Sequence, residues 1–266
     1  MELRAYDRPV FRRTFAASGA ALAAAAALLM SQVTVFAFTS GSIGYDIGYP
    51  QCGVPVSSYP TASFGIVGVN AGYPFTYYNQ CLAYEYANTP NPSLYINTGY
   101  DPSYTNIDAT HSTSQCVTAS ASIIGSTDQQ RAWAVGCSEA SRSLAYAASQ
   151  GASAPASLWL DVETANSWCG QSGTACTDLS LNQYTLQGLV DTLHAGSSAQ
   201  VGTYSTGYQW NAIVGSLPVS GIQSDWVATG TTSAKRARAY CSRTFNGAPV
   251  QLAQYSSRGF DMDYAC

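Results

Sequence analysis

Two carboxylates separated by one residue end a short apolar run in the segment SLWLDVETANSW, residues 157–168. Side chains two positions apart in a strand point to the same side, so Asp161 and Glu163 would share one surface. Two acids held this close do not both ionise readily, and one raised pKa would leave an acid beside a base. Cleavage of a glycosidic bond requires such a pair. The alternative is a hydrogen-bonded structural pair or a helix cap, because Asp-x-Glu is a common sequence.

Other side chains suited to chemistry or to sugar binding lie where apolar runs end. The polar ones are Asp46, Asn70, Asn97, Tyr204, Gln254, Asp261 and Asp263. The aromatic ones, whose flat rings suit the apolar faces of sugars, are Tyr49, Tyr73, Trp168, Tyr208 and Trp210. Trp159 lies inside an apolar run, and we expect it in the core.

Short apolar runs alternate along the chain with longer segments of helix-like spacing. We predict strands at 42–47, 64–70, 93–97, 157–162, 200–205, 225–229 and 250–255. We predict helices at 79–87, 128–150 and 180–194, the last of them capped by Asp178 or Ser180. Several of the strands lack strict alternation of polar and apolar residues, which indicates that they are covered on both faces.

Alternating strands and helices favour an α/β fold with a parallel sheet. Seven or eight such units predict a single closed (β/α) TIM-like barrel, with an irregular or incomplete last third. An open doubly wound sheet is the alternative, but no Gly-rich phosphate turn follows any strand. The carboxyl ends of the strands in a barrel meet at its mouth, where barrel enzymes hold their catalytic groups. The polar residues above would therefore converge.

The first segment has the pattern of an export signal. Basic residues that include Arg12-Arg13 precede an alanine- and leucine-rich run at 16–30, and small residues follow it. We expect a signal peptide over residues 1–37, of the twin-arginine or the ordinary secretory type, and one domain over residues 38–266. An uncleaved membrane anchor is the alternative, although the apolar run is shorter than a bilayer requires. After cleavage we expect no membrane span.

Cysteine usage also indicates export. All eight cysteines lie beyond residue 37, and an even number in an exported chain predicts disulfides. Pairing in chain order would give Cys52–Cys81, Cys116–Cys137, Cys169–Cys176 and Cys241–Cys266. Zinc is the alternative, but the sequence has no Cys-x-x-Cys pair and only two histidines. We expect no metal and no cofactor.

Composition limits the classes of partner. A chain of 266 residues with 46% hydrophobic residues can bury a large core. Only 10% of the residues are charged, the net charge is −4 and Lys235 is the single lysine. Nucleic acid is therefore excluded as a partner, because binding phosphates needs clustered Arg and Lys. We expect a monomer.

The order of these motifs resembles the glycoside hydrolase family 25 lysozyme barrels and the secreted glycoside-hydrolase-like proteins related to them. The likeness spans residues 42–266. It comprises an Asp soon after the first strand begins, Asp-x-Glu ending the fourth, Gly-x-Tyr-Ser after the fifth, and a terminal Gln-Tyr followed by Asp-x-Asp. The resemblance implies a muramidase that acts on the β-1,4 bond between N-acetylmuramic acid and N-acetylglucosamine of peptidoglycan.

The resemblance also implies roles for individual residues. Glu163 would be the general acid, and Asp161 would stabilise charge or orient the N-acetyl group of the substrate. Asp46 and Asp261 would shape the surrounding field, and Tyr204 would hydrogen bond near the reacting sugar.

Two segments depart from the family pattern. Family members usually carry an acid after the second strand and an aromatic-His pair at the third, whereas this chain has Asn70 and Asn97 there. These amides can bind a sugar but cannot relay protons. Two function classes therefore remain: a secreted glycoside hydrolase that cleaves peptidoglycan or a similar polysaccharide, and a non-catalytic barrel that binds the cell wall or another carbohydrate. Both classes place the protein outside the cell, including at the cell wall.

Overall fold

A computed structural model describes residues 38–72, 74–75 and 77–266, so the expected signal peptide lies outside the described residues. Eight strands close into one barrel in chain order. They are β1 (Ile43–Ile47), β2 (Phe64–Gly68), β3 (Pro92–Asn97), β4 (Ser157–Asp161), β5 (Gln200–Ser205), β6 (Ser224–Thr231), β7 (Val250–Ser257) and β8 (Phe260–Ala265).

Helices lie between the strands, outside the barrel. The α-helices are α1 (Leu82–Ala87), α2 (Ser114–Ser120), α3 (Thr127–Ser149), α4 (Leu179–Gly196), α5 (Gly207–Ile213) and α6 (Ala234–Ala237). Short 3-10 helices cover Tyr49–Gln51, Val56–Ser58, Pro102–Thr105 and Arg238–Tyr240. Among the described residues, no helix is both long enough and apolar enough to span a membrane.

The predicted barrel and its main elements are confirmed. Each end of the seven predicted strands lies within two residues of the corresponding observed strand end, and the three predicted helices are present as α1, α3 and α4. Helix α4 begins where expected, because the Asp178 carboxylate accepts a hydrogen bond from the Ser180 N–H at 2.9 Å. Helices α2, α5 and α6, which have four to seven residues each, were not predicted.

The sheet is parallel except at its last strand, which lies in the part of the barrel that was expected to be irregular. Strands β1 to β7 run parallel, but β8 runs antiparallel to both β7 and β1. The cause is a two-residue turn at Arg258 and Gly259, whose φ angles are +53° and +82°. Positive φ at both positions is the geometry of tight hairpins, so the chain turns straight back from β7. This hairpin is the irregular last third.

The core has two layers, one inside the barrel and one between the barrel and the helices, and this explains why polar and apolar residues do not alternate along the strands. Inside the barrel lie Phe38, Phe64, Ile66, Trp159, Trp226, Leu252 and Ala265. On β4, Leu158 and Leu160 belong instead to the layer that contains side chains of α3 and α4. Neighbouring residues of one strand are thus buried on opposite faces. Trp159 is fully buried, as expected.

Helices α3 and α4 approach closely at two glycines. A Cβ atom on Gly136 would lie 1.9 Å from the Thr185 carbonyl oxygen, and one on Gly188 would lie 2.1 Å from the Trp133 carbonyl oxygen. Any side chain at either position would push the helices apart. This contact fixes the position of α3, which carries a buried glutamate described below.

The structure contains four disulfides, Cys52–Cys81, Cys116–Cys137, Cys169–Cys176 and Cys241–Cys266, which are the pairs expected from chain order. Two of them stabilise segments that follow the carboxyl ends of strands. Cys52–Cys81 joins the segment after β1 to the start of α1, and Cys169–Cys176 closes the loop between β4 and α4.

Candidate active site

A pocket of about 200 Å³ opens at the mouth of the barrel, where the parallel strands end. Eight of the sequence-predicted site residues line it: Asp46, Tyr49, Asn97, Asp161, Glu163, Tyr204, Gln254 and Asp261. Gly72, Tyr95 and Trp226 complete the lining, which includes no Lys, Arg or His. Among the described residues, no group of three or more His, Cys, Asp or Glu side chains is placed to hold a metal ion.

Asp161 and Glu163 project to the same side, although the strand ends between them. Asp161 is the last residue of β4, and the fully buried Val162 separates it from Glu163. The Val162 N–H donates to the Tyr204 carbonyl oxygen at 2.9 Å, so the extended backbone continues beyond β4. The alternation of a strand therefore brings both carboxyl groups into the pocket.

Both carboxyl groups hold their protons more tightly than usual. Burial raises the pKa of Asp161 well above its ordinary value, and the neighbouring charges of Glu163 and Asp46 raise it further. Burial and the charge of Asp261 also raise the pKa of Glu163, against a weak 3.5 Å hydrogen bond from Gln209 Nε2. Each of the two carboxyl groups is therefore easier to protonate than an isolated one.

The backbone that carries this pair is held by side chains from other segments. Thr98 Oγ1 donates to the Asp161 carbonyl oxygen at 2.6 Å, and Trp168 Nε1 donates to the Glu163 carbonyl oxygen at 3.0 Å. Gln209 Oε1 accepts from the Thr164 N–H at 2.7 Å. The loop after β4 is thus fixed on both sides of the two acids.

Asp46 lies at the end of a chain of hydrogen bonds across the mouth. The Tyr204 hydroxyl donates to Gln254 Oε1 at 2.7 Å, and Gln254 Nε2 donates to Asp46 Oδ2 at 3.0 Å. Burial and the charge of Asp261 raise the pKa of Asp46 to about 7. Tyr204 and Asp46 therefore have fixed positions relative to each other in the pocket.

Asp263 lies beneath Asp46 and is fully buried, not at the rim where the sequence placed it. Its Oδ1 accepts from Trp226 Nε1 at 2.7 Å, and its carboxyl group is hydrogen-bonded to that of Asp46. Burial and the charge of Asp46 raise the pKa of Asp263 well above its usual range. Two carboxyl groups can hydrogen bond to each other only when one of them carries a proton, and this hydrogen bond raises the pKa of Asp263 while it lowers that of Asp46, which favours Asp263 as the donor.

Comparison with solved structures identifies the fold. The chain superposes on a family GH25 lysozyme from Aspergillus fumigatus with a TM-score of 0.54 and 16% identity, covering 85% of this chain and 93% of that one. A bacterial lysozyme from Streptomyces coelicolor gives 0.52 and 17% identity, covering 86% and 93%. The catalytic domain of endolysin ply40 from bacteriophage P40 of Listeria monocytogenes gives 0.52 and 16%, covering 86% and 95%. The barrel has a GH25-like fold. The sequence matches no family model and no curated protein.

Four residues expected to bind sugar do not line the pocket of this GH25-like barrel. Asn70 is 1% exposed and hydrogen-bonds to Asn97 behind the pocket wall. Trp168 is fully buried, because its indole folds beneath the loop after β4 to reach the Glu163 carbonyl. Tyr208 is 80% exposed in the first turn of α5, and Trp210 is buried in the same helix. Tyr73 lies outside the described residues.

Two aromatic residues of the GH25-like pocket were missed by the sequence analysis. Tyr95 precedes Asn97 by two positions in β3, so strand periodicity alone could have placed it beside Asn97. Its ring has room because Gly48 and Gly68 lack side chains; a Cβ atom on either would lie 2.5 or 2.6 Å from the Tyr95 hydroxyl. Trp226, in β6, packs against the Tyr204 ring with centroids 4.5 Å apart. No feature of the neighbouring sequence indicated that Trp226 would line the pocket.

Proposed function

We propose that this protein is a secreted glycoside hydrolase that cleaves peptidoglycan in the manner of a muramidase, or a similar polysaccharide. The observation that carries the proposal is the pair Asp161 and Glu163, adjacent in an open pocket with both pKa values raised. A structural acid pair is usually neutralised by basic side chains, and the pocket lining has none. Perturbed acids in a cleft are typical of catalytic sites.

The two acids take different roles because their surroundings differ. Glu163 is partly exposed and can reach a glycosidic oxygen, so it donates the proton to the leaving group. Asp161 is 6% exposed, and its Oδ1 has no hydrogen-bond partner among the described residues. In the reactive form Glu163 is protonated and Asp161 is ionised, and the Asp161 carboxylate stabilises the positive charge that develops on the sugar ring in this site of low dielectric.

The lining also supports a sugar as the ligand. Carboxylate and amide oxygens dominate its polar groups, so it accepts hydrogen bonds from a neutral ligand rich in hydroxyl or amide donors. The rings of Tyr49 and Tyr95 offer flat surfaces for the apolar faces of a pyranose. The solved structures of similar fold are lysozymes, a muramidase and an endolysin domain, which makes peptidoglycan the first substrate to test.

Export is part of the same proposal. Residues 1–37 act as the signal peptide, and the mature protein begins at Phe38 and works as a monomer outside the cell, including at the cell wall. Four disulfides support this location, because such bonds persist in oxidising compartments.

One observation favours a non-catalytic carbohydrate-binding barrel as a second candidate. Asn70 replaces an acid of the family pattern and is held behind the pocket, where it contributes no proton relay. Such a protein would bind wall fragments without releasing products.

Purified peptidoglycan embedded in a gel, together with mass analysis of soluble fragments, tests the proposal. We expect clearing by the parent and fragments that end in reducing N-acetylmuramic acid, with no clearing by Glu163→Gln. Fragments that end in another sugar would refute the muramidase assignment. Binding without release of fragments on wall preparations of several types would favour the second candidate.

A further inference from the structure

A buried network connects α3 to the wall of the pocket. Glu139 of α3 is 2% exposed and accepts from Asn70 Nδ2 at 3.2 Å. Asn70 in turn is hydrogen-bonded to Asn97, the last residue of β3, which lines the pocket. The three residues lie far apart in the sequence and meet only in the fold.

The backbone of Asn97 fixes the orientation of the Asn70 amide. The Asn97 N–H donates to Asn70 Oδ1 at 2.8 Å, and Asn70 Nδ2 donates to the Asn97 carbonyl oxygen at 2.9 Å. A backbone N–H can only donate and a carbonyl can only accept, so the Asn70 oxygen and nitrogen cannot be exchanged.

This orientation determines which atom Asn97 presents to the pocket. The side-chain atom of Asn97 that lies 3.0 Å from Asn70 Oδ1 must be a donor, and it is therefore Nδ2. Asn97 lines the pocket, and its hydrogen bonds to Asn70 use its backbone and its Nδ2, which leaves Asn97 Oδ1 outside this network. Asn97 Oδ1 therefore remains as an acceptor on a residue that lines the pocket and pairs with Asp161 in the neighbouring strand.

Glu139 also binds the loop after β2. Its Oε2 accepts from the Phe75 N–H at 2.9 Å, and its Oε1 accepts from Ser143 Oγ at 3.2 Å. Phe75 has φ +61°, a left-handed conformation that is costly for a residue other than glycine. The hydrogen bond from its N–H stabilises this conformation, and Gly72, three residues earlier, lines the pocket.

We propose that Glu139 is a positioning residue which, through Asn70, holds Asn97 Oδ1 in the pocket as the acceptor for an N–H or O–H group of the bound sugar. The proposal rests on the substrate class proposed above and adds a recognition contact to it. The donor is either the N–H of a 2-acetamido group or a ring hydroxyl. The competing explanation is that the network only joins β2, β3 and α3.

Binding measurements on a cleavage-blocked Glu163→Gln background test the proposal. The probes are the β-1,4-linked trimers of N-acetylglucosamine and of glucose, titrated calorimetrically into the single variants Asn97→Ala and Glu139→Gln and into the double variant. The control is Asp225→Asn, because Asp225 is a fully buried acid at the other end of the barrel.

We expect Asn97→Ala and Glu139→Gln each to weaken binding of the N-acetylglucosamine trimer about tenfold, whereas Asp225→Asn leaves it unchanged. The double variant should bind no more weakly than Asn97→Ala alone, because Glu139 acts through Asn97. If the donor is the acetamido N–H, the glucose trimer is unaffected; if it is a hydroxyl, both trimers weaken equally. Additive losses would show a purely structural role.

The outcomes separate this inference from the proposed function. Unchanged binding by folded Asn97→Ala overturns the inference while leaving hydrolysis intact, and this variant carries the test if Glu139→Gln fails to fold. A parent that binds sugar through Asn97 but cleaves no wall preparation overturns only the hydrolase assignment. A protein that binds neither trimer and cleaves nothing overturns both.

Discussion

Trp168 donates its indole N–H to the main-chain carbonyl of Glu163 at 3.0 Å, although the side chain itself is fully buried and cannot touch a ligand. The hydrogen bond acts on the backbone that carries the acid, not on the carboxyl group. It fixes the direction in which Glu163 leaves the chain after β4. Trp168 was expected to bind sugar, but it contributes to the site by fixing the backbone of Glu163.

Removal of this hydrogen bond should slow catalysis. Trp168→Phe leaves the Glu163 carbonyl without its donor, and we expect kcat to fall about tenfold, because small misplacements of an acid are costly. The matched control is Trp159→Phe, another fully buried tryptophan, whose Nε1 has no hydrogen-bond partner among the described residues. Turnover per folded molecule is the measurement, and equal losses in the two variants would contradict the positioning role.

The two carboxyl groups should be dispensable for folding but not for activity. Glu163→Gln keeps the shape but loses the proton, so hydrolysis should fall roughly 100-fold or more. Asp161→Asn should also slow turnover, because it removes the charge that stabilises the oxocarbenium-like state. Neither change should lower the melting temperature at pH 7, since burial already disfavours the ionised forms.

Activity and thermal unfolding are measured on the same preparations, with Asp225→Asn as the control buried acid. Activity of Glu163→Gln equal to that of the parent would remove the general-acid role. Loss of melting temperature with activity retained in the folded fraction would indicate a structural pair.

Replacement of Asp263 by asparagine should have little effect on stability. An Asn oxygen can accept from Trp226 Nε1, and its NH₂ group can donate to Asp46, as the neutral acid does. Asp263→Ala leaves the Trp226 donor unpaired and should cost about 1–3 kcal/mol of stability. Denaturant unfolding of both variants checks this, and strong destabilisation by Asp263→Asn would show that an ionised Asp263 is required.

The protein should be more stable at pH 5 than at pH 8. Burial raises the pKa of Asp46 and Glu139 to about 7 and that of Asp225 to about 6, whereas in the unfolded chain they titrate near 4. Between these values the folded protein binds more protons, so its free energy of unfolding falls as pH rises through this range.

Melting temperatures at constant ionic strength from pH 4 to pH 8 measure this slope. Asp108 acts in the opposite direction, because hydrogen bonds from His111 lower its pKa to about 2, but its contribution changes only below about pH 4. The Asp225→Asn variant should have a shallower slope than the parent. A melting temperature that rises steadily from pH 5 to pH 8 would contradict the expectation.

The mature protein should begin at Phe38. The signal-peptide pattern places cleavage there, and the Phe38 ring packs inside the barrel with its centroid 4.6 Å from that of Phe64. N-terminal sequencing of protein from the culture medium checks the cleavage site; Met1 or Arg12 at the amino terminus would contradict export with processing. Phe38→Ala should destabilise the protein by about 3 kcal/mol, whereas Tyr208→Ala, at an exposed residue, should not.

Local patterns sufficed to predict the barrel and most of its pocket. Apolar runs marked seven strands, and the two-residue period of a strand was enough to pair Asp161 with Glu163. The same reasoning missed β8, because the acids in FDMDYA resemble a polar rim and the turn that reverses the chain depends on left-handed φ at Arg258. The direction of β8 thus depends on the two turn residues, Arg258 and Gly259.

Burial of polar residues could not be predicted in this way. Asn70 and Trp168 have the types expected of sugar contacts, but hydrogen bonds to Glu139 and to the Glu163 carbonyl hold them inside. For Asn70 one of those partners, Glu139, is 69 positions away in the sequence. A hydrogen bond between residues so far apart produces no periodic pattern in the sequence. The type of residue therefore predicted an exposed side chain, whereas the fold supplies a buried hydrogen-bond partner.

Because β8 runs opposite to the other seven strands, the chain leaves the barrel at the floor where it entered. Ser40 Oγ donates to the Cys266 carbonyl oxygen at 2.7 Å, and the Gly41 N–H donates to the Ala265 carbonyl oxygen at 2.8 Å. Both ends of this domain thus lie opposite the pocket. A bead, an electrode or a fused protein attached at either end would hold the mouth outward, so that an immobilised form keeps access to an insoluble polymer.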